Sequence, residues 1–147
     1  MKYIFIILLG TFLTSCFLQK KTPEDYMVSA KKYSDKKDYL KALKNYSRAI
    51  ALNATLYQAY FDRANIEILI GDSLSKERAI DDLGMYINAN EANPQDKELL
   101  SKAYFQRAEI MIKLGYKSEA CDDWEKACDL NQKNAPSACE QYRLKCK

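Results

Sequence analysis

Tyr60-Phe61-Asp62-Arg63-Ala64-Asn65-Ile66 returns as Tyr104-Phe105-Gln106-Arg107-Ala108-Glu109-Ile110, with five of seven positions identical. A second block alternates with the first: Ala42-Leu43-Lys44-Asn45-Tyr46-Ser47-Arg48-Ala49 is matched by Ala120-Cys121-Asp122-Asp123-Trp124-Glu125-Lys126-Ala127. Each member of that pair has a small residue, a large aromatic four positions on, and Ala three after that. On a helix, positions three and four apart share a face, so the pattern makes a stripe of two dimples and one knob. Such a stripe lets two helices approach closely. One helical hairpin cannot bury its apolar face, so hairpins built from these blocks must stack into a continuous core.

Composition agrees with an all-α reading. The 147 residues suffice for one domain. Apolar residues make up 48% while there are only 4 Gly and 3 Pro, too little turn chemistry for an all-β fold. The net charge of +3 comes from 23 basic and 20 acidic residues mixed along the chain, so no strong field points at nucleic acid or anionic lipid. The pairs Lys20-Lys21 and Lys31-Lys32 read as solvated surface.

The alternating blocks resemble the tetratricopeptide repeat, and the resemblance covers nearly all of residues 23–132. The first repeat supplies Tyr26, Ala30, Tyr33, Tyr39, Ala42, Tyr46 and Ala49 at the family's aromatic and small positions. The second supplies Tyr60, Ala64, Gly71, Ala79, Leu83 and Tyr86, with about three extra residues expected in its turn around Asp72 to Lys76. The third supplies Tyr104, Ala108, Met111, Gly115, Ala120, Trp124 and Ala127. The family's closing Pro is absent, with Ala54 and Gln132 at that place in repeats one and three. Local signals must then set the helix ends: Thr22 before Pro23 with Asp25 behind it, Asn93-Pro94 as a further start, and Gly71 and Gly115 as left-handed stops. The expected helices lie near 23–35, 38–52, 55–70, 76–90, 94–114, 117–131 and 135–146. The helix from Pro94 is expected to run about two turns longer than its counterparts. The implied fold is a right-handed superhelix of about three hairpins (23–56, 57–93, 94–132), with residues 133–147 as a capping helix.

The amino terminus carries an address. Lys2 precedes the apolar stretch Tyr3 to Leu9, followed by Gly10-Thr11-Phe12-Leu13 and the small residues before Cys16. That stretch is short for a bilayer span. Leu13-Thr14-Ser15-Cys16 resembles the lipobox of bacterial lipoprotein signal peptides. The resemblance implies cleavage after residue 15, a diacylglycerol on the Cys16 thiol and an acylated new amino group. Two chains suffice for stable anchoring. Residues 16–22 then form a tether, and the expected location is the bacterial cell envelope, at the outer membrane. No cofactor beyond this covalent lipid is expected.

The remaining cysteines, Cys121, Cys128, Cys139 and Cys146, form two i, i+7 pairs on successive helices. If those helices fold back antiparallel, bonded partners share one index sum, which predicts Cys121–Cys146 and Cys128–Cys139. Oxidising conditions outside the cytoplasm permit such bonds; four reduced, buried thiols are the other reading. Two thiols of one helix lie about 10 Å apart along its axis, too far to share a zinc ion. The segment also resembles the cysteine-rich, Sel1-like relatives of tetratricopeptide proteins, where cross-helix bridges occur.

The chain has no His, which removes the commonest general base and every His-based triad. Asp81-Asp82 and Asp122-Asp123 lack partner motifs and read as solvated helix faces. Recognition remains, and no enzyme activity or small-molecule substrate is expected. By the resemblance, the first helices of the repeats line a concave groove exposing Met27, Lys31, Phe61, Asp62, Asn65, Lys102, Phe105, Gln106 and Glu109. Phe61 and Phe105 either anchor a partner peptide or pack between adjacent first helices. The family's carboxylate clamp falls here on Met27, Lys31, Asp62, Lys102 and Gln106, of which only Lys102 fits. The expected function is a membrane-anchored scaffold binding an envelope protein or peptide. Its rivals are a structural subunit of an envelope assembly and a catalyst or thiol-based sensor built on the C-terminal cysteines.

Overall fold

The computed structural model describes residues 20–130 and 136–147. The signal segment and Cys16 lie outside the described residues, as do Gln132 and Ala135. Seven helices follow in order: α1 (Pro23–Asp35), α2 (Tyr39–Leu52), α3 (Tyr57–Ile70), α4 (Ser73–Asn90), α5 (Lys97–Lys113), α6 (Lys117–Leu130) and α7 (Pro136–Lys145). Each packs on its neighbours in sequence, and α1/α2, α3/α4 and α5/α6 touch most extensively. These are the three hairpins, and α7 docks on α6.

Short polar side chains set where the helices begin. Thr22 and Asp25 form a reciprocal capping box, Asp25 N–H donating to Thr22 Oγ1 at 3.2 Å and Thr22 N–H to Asp25 Oδ2 at 2.9 Å. Asp38, Asp72 and Asp96 each accept from the backbone N–H three residues on, opening α2, α4 and α5. The same slot inside each hairpin needs a left-handed residue. Gly71 (φ 75°) and Gly115 (φ 91°) fill it in the second and third, while the first uses Lys37 at φ 59°.

Two expectations about spacing fail. The residues around Asp72 to Lys76 are not a lengthened turn: Gly71 stops α3, Asp72 caps α4, and the extra residues become the first turn of an 18-residue helix. Nor does a helix start at Pro94. Asp96 offers a side-chain cap that Asn93 does not, so α5 begins at Lys97 and has 17 residues, about one turn more than α3 with 14. The long spacing between Tyr60 and Tyr104 is shared between α4 and the connection 91–96.

The alanines at the small positions, Ala30, Ala42, Ala49, Ala64, Ala79, Ala108, Ala120 and Ala127, are all completely buried. Their lack of side-chain bulk brings backbones together, as where Ser101 Oγ donates to the Ala127 carbonyl at 2.7 Å across α5 and α6. The knobs fill the space between: Tyr46, Tyr86, Tyr104 and Trp124 are buried, Trp124 completely. Burial of the Tyr46 and Tyr104 rings pushes both phenols up to about 12.

Candidate functional site

The first helices α1, α3 and α5 carry every residue expected to line the groove. Phe61 is not displayed there. It is 3% exposed, and its ring lies 5.0 Å from that of Tyr86 at a tilt of 47°. Phe105 is half-buried and packs against the core on both sides, including the cluster around Trp124. Both rings therefore pack between helices, because a residue three positions before Ala64 or Ala108 shares that alanine's inward helix face.

What faces the groove is polar. Lys31 and Lys102 are exposed, and the Lys102 ammonium stands 5.8 Å over the Phe61 ring. Asp62 is half-buried, accepts from Gln58 Nε2 at 2.9 Å, and has Lys31 and Lys102 close by. Burial raises its carboxyl above the usual range, against the pull of Gln58 and the two ammonium groups. Met27 is half-buried beside Ala30 and Tyr46.

A relay of amides joins α3 to α5. Asn65 Nδ2 donates to the Phe61 carbonyl at 2.8 Å, which fixes the orientation of that amide. Asn65 Oδ1 then accepts from Gln106 Nε2 at 2.8 Å, which fixes Gln106 in turn. The chain of donors ends on Gln106 Oε1, a buried acceptor without a partner among the described residues. Glu109 Oε1, one turn further along α5, is in the same condition. Both oxygens lie beneath the surface of this face, on which Lys31 and Lys102 are exposed charges.

Behind the first helices, the sequence pattern concealed a repeated clasp. Arg63 grips Asp82 with two bonds of 2.7 Å and lies 5.7 Å over the Tyr60 ring. Arg107 grips Asp123 at 2.7 and 2.8 Å and lies 5.6 Å over Tyr104. The expectation that both Asp pairs are solvated is therefore half wrong. Asp81 and Asp122 are exposed, but Asp82 and Asp123 are buried beneath an arginine. Arg recurring in the first block and Asp-Asp in the second were the available signal, obscured because α4 gained a turn and changed the spacing.

The cysteines meet as the index symmetry predicts. Cys121 bonds Cys146 with Cα atoms 5.7 Å apart, and Cys128 bonds Cys139 at 4.8 Å, so α7 is stapled to α6 at both ends. Tyr142 Oη donates to Glu125 Oε1 at 2.5 Å between the staples. Among the described residues no group of three or more carboxylates or thiols could hold a metal ion.

No family model and no curated protein matches the chain. Solved structures do. The first TPR of Spaghetti (RPAP3), bound to the HSP90 peptide SRMEEVD, superposes with a TM-score of 0.68 at 19% identity, over 83% of this chain and 88% of that one. The N-terminal domain of stress-induced protein-1 (STI-1) from C. elegans gives 0.73 at 15% identity, over 85% and 94%. The Arabidopsis OM64 TPR domain gives 0.67 at 22% identity, over 82% and 91%. The likeness establishes the fold: an all-α superhelix of tetratricopeptide hairpins, with α7 as an added terminal helix.

Proposed function

We propose that this chain is a non-catalytic interaction module that holds an extended segment of another envelope protein along the face formed by α1, α3 and α5. The observation that carries the reading is the polar face itself: Lys31 on α1 and Lys102 on α5 stand exposed and close to half-buried Asp62 of α3, which Gln58 holds in place. An extended chain brings a backbone N–H every second residue on one side for such a carboxylate and carbonyls for the two ammonium groups. The RPAP3 domain of the same fold holds its peptide, which supports the use of this scaffold for a chain segment. With Asp62 and Gln106 where a clamp for acidic tails needs cations and Asn, an acidic C-terminus is the wrong ligand here.

The anchor is part of the proposal. Acylation of Cys16 would keep the module within a short tether of a membrane, and among the described residues no helix is long and apolar enough to cross one. Placing a photo-crosslinking residue at Lys102, with a control at exposed Asp122 on α6, tests the groove. One protein captured from Lys102 and not from Asp122 is expected; equal capture from both positions refutes the assignment of this face. Changing Cys16→Ser tests the anchor, and a variant still sedimenting with membranes would refute it.

A further inference from the structure

On the other side of the repeats, a cleft of about 480 Å³ opens between α2 and α4. Leu40 and Leu43 form one wall, Asp81 and Arg78 stand on the other, and Arg63 and Glu67 of α3 lie between them. Leu40 is 79% exposed at the lip, so the wall has no cover.

Both oxygens of Asp82 are taken by Arg63, whose remaining Nη1 donates to Ser47 Oγ at 3.0 Å. Glu67 Oε1 accepts from Arg78 Nε at 2.9 Å. Its other oxygen, Oε2, has no partner among the described residues although the side chain is only 4% exposed. Neither oxygen of exposed Asp81 has a partner among them. The open groups are thus acceptors, and with Glu67 ionised the formal charge within the cleft is negative by one: three carboxylates against two guanidiniums.

We propose that this cleft is a second binding site, taking the side chain of an Arg or Lys of a protein partner. Its aliphatic stem lies on Leu40 and Leu43, and its cationic head reaches Asp81 and Glu67. Arg78 is half-exposed and is the group that swings aside to admit the head. The volume is several times that of such a side chain, so the partner's neighbouring backbone also enters. This site does not depend on the concave-face reading, because α2 and α4 supply its walls. Burial, joined by the Asp82 charge, pushes Glu67 up to about 7 despite Arg78 and Arg63. A cationic head stabilises the ionised form, so binding releases a proton near neutral pH.

The test is methyl NMR of the oxidised full-length chain in detergent, reading Leu40 and Leu43 during titration with Ac-Ala-Arg-Ala-amide. The norleucine analogue and free n-butylguanidinium serve as comparisons. Saturable shifts with the Arg peptide are expected, with affinity about tenfold higher at pH 8 than at pH 6, since ionisation of a group at about 7 is nearly complete at the first and a tenth complete at the second. Glu67→Gln and, separately, Asp81→Asn should each weaken binding at least fivefold. Asp81 is exposed, so its variant keeps the test sound should Glu67→Gln disturb folding. Equal binding of the norleucine peptide would reduce the cleft to an apolar dent. Binding of free butylguanidinium alone would exclude a protein partner, and absence of any shift, or indifference to both substitutions, would leave only water in the cleft; each of these overturns the proposal.

Discussion

Glu67→Gln should make the protein more stable at pH 8 and leave it little changed at pH 4.5. The Glu67 carboxyl sits at about 7 against an ordinary 4.5, mainly because burial disfavours its charge. An acid with a raised folded-state pKa favours folding while protonated. Its contribution is fully present below 4.5 and is lost as pH climbs through about 7. At 1.36 kcal/mol per unit, the span between those values corresponds to about 3 kcal/mol of stability lost by the wild type. Glutamine cannot titrate, so the variant lacks this slope. The pull of half-exposed Arg78 on the Glu67 charge is already contained in the value of about 7, so the variant should be more stable by about 3 kcal/mol at pH 8. Urea unfolding of the oxidised protein at pH 4.5, 6, 7 and 8 measures this directly, since subtracting the two stability curves removes every other titrating group. Parallel curves, or a variant weaker than wild type at pH 8, would refute the reasoning.

Reducing both disulfides should release α7 first, because the loops they close, 25 and 11 residues apart in sequence, stabilise by about 3 kcal/mol each. Hydrogen exchange should then show α7 amides losing protection while α3 and α4 keep theirs. Replacing Lys37, held at φ 59°, by Gly should stabilise by about 0.5–1 kcal/mol, the relief of left-handed strain less the freer unfolded chain, measured as a shift in the urea midpoint. Arg107→Met strands buried Asp123 and should cost about 3 kcal/mol in the same assay, whereas Asp123→Asn should cost less, because Arg107 is more exposed than its partner and keeps the Tyr104 ring beneath it.

The recurrence of Tyr-Phe-x-Arg-Ala at 60 and 104, with alanines three and four residues from each aromatic, determined the helices, the hairpins and the residues of the core. These are local matters, since helical periodicity and side-chain size decide what a hairpin must bury. The disulfide pairing was legible for the same reason, two equal spacings on antiparallel helices admitting one symmetric match. Helix starts after Ile70 and Asn90 were not, because Asp72 and Asp96 compete with nearby alternatives and only the packed register selects between them. Likewise Phe61 and Asp82 look like surface residues one at a time. They are buried because α4 lies against α3, bringing Tyr86 to one and Arg63 to the other. The outer cleft and its unpaired Glu67 oxygen exist only where α2, α3 and α4 come together, since a vacancy among three helices has no signature along any one of them.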